Sequence, residues 1–116
     1  MEKAGWKYIS AINPLLQQLP QHRGMSVVLL NGDESFRHKI LLKQNNIDHL
    51  FAQFVKLNNP FVKEQNIKKQ TEVINSQWKK LKTQVFSHSA KATFTIQSNL
   101  LDQITDLIEY VADIIY

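Results

Sequence analysis

Four polar residues fall where apolar seams should continue: Arg23, Lys43, Thr71 and Gln97, with Ser26 one turn beyond Arg23. Two are cations and one is an amide; none is a carboxylate. Burying an unpaired charge is costly, so a layer holding Arg23 and Lys43 needs a counter-charge. An oxyanion supplies one, because a guanidinium and an amide donate to its oxygens in complementary geometry. The chemistry suggested is recognition of a small anion, with Arg23 as the leading contact and Gln97, Lys43 and Ser26 in support. The alternative needs no ligand. Lys43 can extend its stem out of the seam, and Arg23 can pair with a flanking carboxylate, Asp48 or Glu34. His22, beside Arg23, reads as a surface residue or one standing behind the contact.

Other chemistry finds little support. His22, His38, His49 and His88 form no His-x-x-x-His pair, and no Glu-x-x-His motif sets carboxylates inward as a di-iron bundle requires. There is no cysteine, which excludes disulfides and thiolate sites. No nucleophile motif, glycine-rich phosphate loop or inward carboxylate pair appears, so neither catalysis nor a cofactor is expected. Lys68, Lys69, Lys79, Lys80 and Lys82 make a basic face without a groove-reading motif. It reads as solvated, or as paired with acidic residues of the fourth helix, rather than as a nucleic-acid surface. The net charge of +4 is too mild to change that.

Four helical segments must position these residues. The first runs from about Glu2 to Leu30, with a seam of Ile9, Ile12, Leu16, Leu19, Arg23, Ser26 and Leu30 in steps of three and four. Asn13-Pro14 resembles an N-cap followed by proline at the first helical position, so the helix is expected to restart there. Pro20 removes a donor and should kink it. Gly32 suits a left-handed C-terminal cap and Asp33 the next N-cap. The second segment runs from about Glu34 to Leu57 on Phe36, Ile40, Lys43, Ile47, Leu50, Phe54 and Leu57, widened by Phe51 and Val55, and Asn58-Asn59-Pro60 stops it. After a loop over 58–65, the third runs from about Asn66 to Phe86 on Ile67, Thr71, Ile74, Trp78, Leu81 and Val85. Ser87 to Thr93 reads as its last turn. The fourth runs from about Ala92 to the end on Phe94, Gln97, Leu101, Ile104, Ile108, Val111 and Ile115.

Short connections between such segments make an all-α, antiparallel up-down-up-down four-helix bundle, a single domain over 1–116. Three glycines and three prolines among 116 residues supply too few turns for a β-sandwich or barrel. Residues equidistant from a turn share a height, so Arg23, Lys43 and Gln97 are expected in one layer about two turns from the 31–33 corner, with Thr71 far from it.

The run Leu19 to Phe51, with its Gln21-His22-Arg23-Gly24 core and Gly32-Asp33 turn, resembles bacterial nitrate- and nitrite-sensing domains, NIT-like in the broad sense. Trp78 and the fourth-helix start, Phe94 to Leu101, fit the same pattern. Gln97 stands where those relatives carry histidine. The resemblance implies a four-helix ligand sensor, placed outside the membrane ahead of a membrane-anchored signalling domain such as a chemoreceptor or diguanylate cyclase, with Arg23 contacting the anion. An excised sensor would be extracytoplasmic, or periplasmic, and a free-standing relative cytoplasmic.

Two further expectations concern surfaces. The acidic residues Asp102, Asp106, Glu109 and Asp113 oppose the macrodipole near the end of the fourth helix, which reads as a helix continuing into a partner or a further domain. Trp6 and Tyr8 are expected to cap the open end of the core or to face an interface. Leu100, Leu107 and Ile114 form a second apolar row, read as a homodimer surface on helix four.

Overall fold

The computed structural model describes residues 3–57 and 63–115. Those residues form four long helices and no strand: α1 Lys3–Leu30, α2 Phe36–Val55, α3 Gln65–Gln84 and α4 Ala90–Ile115, with a 3-10 turn, Val85–Ser87, between α3 and α4. The fold is the all-α four-helix bundle that the seams predict. α1 packs most extensively, on α4 and α2, whereas α3 packs less extensively, on α4 and then α2. The bundle measures 47 × 22 × 19 Å. The expected stop at Asn58-Asn59-Pro60 lies outside the described residues, as do Glu2 and Tyr116.

Local chemistry sets the corners. Gly32 has φ +115°, a conformation glycine adopts without a side-chain penalty. It lets the Gly32 and Asp33 amides return to the carbonyls of Leu29 (2.9 Å) and Val28 (3.2 Å), closing α1 as expected. Asp33 Oδ1 accepts from the Ser35 amide at 3.1 Å and starts a short turn that becomes α2 at Phe36. The Glu64 carboxylate caps α3, accepting from the amides of Asn66 (3.1 Å) and Ile67 (3.0 Å). Ser89 Oγ accepts from the Ala92 amide at 3.0 Å. Residues 90–93 therefore begin α4 and do not end the third helix.

Two expectations about α1 need correction. The helix does not restart at Asn13-Pro14, because Pro14 and Pro20 both lie inside one α-helix. Each proline removes a single intrahelical donor, and the packing of α1 against α2 and α4 carries the helix past both. The buried stripe is also rotated. It runs through Tyr8, Ile9, Ile12, Leu15, Leu19, His22, Ser26 and Leu29, one residue earlier than predicted at Leu16, Arg23 and Leu30. α2 buries Ile40, Gln44, Ile47, Phe51 and Phe54: Gln44 replaces Lys43, and Phe51, expected to widen the seam, takes the place of Leu50, while Val55 is exposed. α4 buries Thr93, Gln97, Leu100, Ile104, Leu107, Val111 and Ile115, leaving Phe94 49 % exposed. Only the α3 stripe, from Ile67 to Val85, is the predicted one.

Leu100 and Leu107 are therefore core residues of this chain, so the apolar row on helix four is not by itself an outward surface; of the three only Ile114 is exposed. Tyr8 is also interior. It is fully buried, meets the Phe54 ring edge-on at 5.1 Å and bonds to Thr71 Oγ1. Thr71 spends its own proton on the Ile67 carbonyl at 2.7 Å, so Tyr8 is the donor. Burial pushes the Tyr8 phenol well above its ordinary range, with the Thr71 bond opposing. Tyr8 precedes His22 by fourteen residues, about 21 Å along a helix, so Thr71 is indeed remote from the mid-bundle layer.

Candidate functional site

The mid-bundle layer centres on His22, which is fully buried and contradicts its reading as a surface residue. Its Nδ1 lies 2.7 Å from Gln97 Oε1, an atom that can only accept, so Nδ1 carries the proton. Nε2 then accepts from the Gln44 amide at 3.1 Å. The other Gln44 proton goes to the Lys82 carbonyl at 3.2 Å, and Gln97 Nε2 donates to Thr93 Oγ1 at 2.8 Å. Each amide is thereby fixed in orientation by a second partner, and together they select one neutral tautomer. Burial holds the His22 imidazole below its ordinary pKa; the Gln97 bond opposes this and the nearby Lys43 charge adds to it.

Trp78 forms one wall of the layer. Its ring meets His22 edge-on at 5.1 Å and stacks on Phe51 at 5.9 Å. Its indole Nε1 donates to Asp48 Oδ1 at 2.8 Å, and Lys82 Nζ holds the other carboxylate oxygen at 2.6 Å.

The four predicted contacts do not converge. Gln97 is in the layer but is committed to His22 and Thr93. Ser26 is buried and donates to the His22 carbonyl at 2.7 Å, a bond within its own helix. Arg23 is half-buried and turns toward α4, where it donates to Ser98 Oγ at 2.9 Å and lies 4.7 Å from the Phe94 ring centroid. Lys43 is half-buried on the α1–α2 side and donates to Gln18 Oε1 (2.8 Å) and Gln21 Oε1 (2.6 Å). Arg23 and Lys43 thus sit on opposite flanks of α1. The suggested pairing of Arg23 with Asp48 or Glu34 is also absent, because Asp48 serves Trp78 and Lys82 while Glu34 pairs with Arg37 at 3.0 Å. The residues the sequence reading missed are His22 as a core group and Gln44 as its partner. A signal existed: burying a neutral imidazole or amide costs less than burying a cation one position away.

Comparison with protein-family models, curated proteins and solved structures gave no match.

A second feature lies between α3 and α4. A groove of about 310 Å³ is floored by Leu81 and Leu100 and edged by Gln77, Lys80, Gln84, Ile96, Asn99 and Gln103. Past Gln103 it continues into a depression of about 360 Å³ beside Asn66, Lys69, Gln70 and Val73. Among the described residues, the side-chain amides of Gln70, Gln77, Gln84, Asn99 and Gln103 bond to no other residue and stand exposed or half-buried at the surface. By contrast, every buried side-chain nitrogen or oxygen among them has a partner except His88 Nδ1. The described residues hold no group of three His, Cys, Asp or Glu side chains suited to a metal ion, and none of their helices is long and apolar enough to cross a membrane.

Proposed function

We propose that the chain is a non-catalytic helical docking module that works without a small ligand in its core, through the groove between α3 and α4. The observation that carries this reading is a contrast between a core layer whose polar groups are committed to one another and a surface groove whose amides are not. The polar groups of the mid-bundle layer are matched to one another, so the layer calls for no added counter-ion. The groove sets solvent-facing amides, none committed to another residue, around an apolar floor of Leu81 and Leu100, the polar-rim and apolar-centre arrangement of a protein interface. A photo-crosslinking residue at Asn99, compared with one at exposed Thr83, tests it in cells expressing the chain. The groove position is expected to give at least about fivefold more of one discrete crosslinked protein band, on the order of a 1 kcal/mol preference for that face. Equal crosslinking at the two positions would remove the groove as the working surface.

A second reading, small-anion sensing coupled to a membrane-anchored signalling domain, is favoured by one observation. Arg23 is half-buried, and its side-chain contacts are a neutral hydroxyl and an aromatic ring. An oxyanion could join Ser98 at the guanidinium. A ligand present at 100 times its Kd stabilises by about 2.7 kcal/mol. Nitrate, nitrite or a small carboxylate would on this reading raise the melting temperature of the native chain and leave Arg23→Ala unmoved. An unshifted wild type across all three would eliminate it.

A further inference from the structure

We propose that Asn31 is a site of self-modification: its side-chain amide is lost through a cyclic imide formed with the Gly32 nitrogen, and isoaspartate accumulates at the α1–α2 corner. Asn31 is the only asparagine of the chain that glycine follows. Glycine is what this chemistry favours, because a side chain on the following residue screens the nitrogen that must attack. The corner adds no other screen. A Cβ at Gly32 would meet no atom beyond its chain neighbours within 4 Å, and both residues are exposed. Among the described residues, the Asn31 side chain bonds to no other. The positive φ of Gly32, +115°, is what calls for glycine at the turn. The residue that the corner requires is thus the one that makes its neighbour labile.

The reaction balances with water alone. The Gly32 amide nitrogen gives up its proton and bonds to Asn31 Cγ. The Cγ–Nδ2 bond breaks, and the amide nitrogen leaves with that proton as ammonia. Water then adds to one of the two ring carbonyls. Opening at Cγ restores the main chain and leaves aspartate. Opening at the main-chain carbonyl leaves the chain running through Cβ and Cγ, which is isoaspartate. One water is consumed and one ammonia released, with no oxidant or cofactor.

The fold sets the rate. The Gly32 amide donates to the Leu29 carbonyl at 2.9 Å, and the Asp33 amide to that of Val28 at 3.2 Å. The nitrogen is therefore free to attack only while the end of α1 is open, a local event far less costly than global unfolding. Asn45, Asn46, Asn75 and Asn99 lie inside helices. There the next amide is held in the helical ladder, and the next residue carries a side chain. The product also acts on the corner. Isoaspartate inserts a carbon into the main chain between the cap amides and the helix they close. Its carboxylate joins Asp33 and Glu34 at the C-terminal end of α1, where the macrodipole disfavours negative charge. The corner loosens with age, in one direction only.

Ageing the purified full chain in warm, mildly alkaline buffer tests the site. Trypsin then releases the peptide Gly24–Arg37, in which Asn31 carries the only side-chain amide. Mass spectrometry against synthetic asparagine, aspartate and isoaspartate standards reads its conversion. Asn31 is expected to convert while the peptides carrying Asn75 and Asn99 stay intact, with isoaspartate the larger product. A free synthetic Gly24–Arg37 peptide is expected to convert at least about tenfold faster than the folded chain, the factor measuring how rarely the cap opens. Asn31→Gln, a change at an exposed side chain, stops the reaction and leaves the melting temperature unchanged on ageing, whereas that of the wild type falls. Conversion no greater at Asn31 than at Asn75 after prolonged ageing overturns the site. Conversion to aspartate alone overturns the cyclic-imide route, and a folded chain that reacts as fast as the free peptide overturns restraint by the cap.

Discussion

Trp78→Ala is expected to lower the unfolding free energy by about 3–5 kcal/mol, the range for removing a large aromatic from a packed core. The indole does three jobs at once. It fills the space between α3, α2 and α1, it lies against both His22 and Phe51, and it supplies a donor to Asp48. The alanine therefore leaves a cavity, an imidazole without its wall and a carboxylate oxygen without a partner. Trp78→Phe keeps most of the volume and loses only the donor, so it should cost ~1–2 kcal/mol, with Lys82 still holding Asp48. Urea unfolding read by far-ultraviolet circular dichroism measures both. A loss below ~1.5 kcal/mol for the alanine would mean that Trp78 does not anchor the core.

His22 gives the second large effect, and it depends on pH. His22→Ala removes the partner of Gln97 Oε1 and of one Gln44 proton. At ~1–3 kcal/mol for each orphaned buried group, a loss of about 2–6 kcal/mol is expected at pH 7.5. The wild type should also weaken in mild acid. The folded chain holds His22 neutral below its ordinary pKa, whereas the unfolded chain protonates it near ~6.5. As pH falls through ~6.5 the unfolded state therefore binds more protons. Stability drops by up to ~1.4 kcal/mol per pH unit until the lowered folded pKa is reached. The contribution is fully present above the unfolded pKa and is lost below it. Protonation has no easy accommodation, because a proton on Nε2 would face the Gln44 amide protons, and turning that amide would strip the Lys82 carbonyl of its donor. Denaturation of wild type and His22→Gln at pH 7.5, 6 and 5 isolates the effect. A slope unchanged by the substitution would assign the acid sensitivity to other groups.

The bundle was legible in the sequence because it depends on period and corner chemistry. Gly32, the α3 stripe and the remoteness of Thr71 all follow from those. The rotation of α1, α2 and α4 was not, and the reason is specific. In α1 the predicted and observed seams share Ile12, Leu19 and Ser26. They share Ile9 as well, with Tyr8 buried beside it, and differ only where two adjacent residues are both plausible: Leu15 or Leu16, His22 or Arg23, Leu29 or Leu30. In α4 the ambiguity is Leu100 or Leu101 and Leu107 or Ile108. Hydrophobicity cannot choose between neighbours of equal character, yet one residue is a 100° turn of the helix. α3 has such doublets only at Val73-Ile74 and at Val85-Phe86 just past its end, while Ile67, Trp78 and Leu81 have no apolar neighbour and fix the phase, so its stripe came out as read. The expected polar layer has the right height and the wrong azimuth: Gln97 belongs to it, Arg23 and Lys43 are displaced to the flanks, and His22 and Gln44 take the interior.

The way α3 is fastened has a consequence for the uniqueness of the fold. This helix packs on its neighbours less extensively than α1 does, and aliphatic side chains in a stripe would tolerate sliding by a turn or a modest roll. Polar pins run along its length: Tyr8 to Thr71, Asn66 to Tyr110, Trp78 and Lys82 to Asp48, and Gln44 to the Lys82 carbonyl. Each is directional and satisfied at one axial position only. They contribute less to the depth of the native basin than to its singleness, because every shifted register would strand several buried donors and acceptors together.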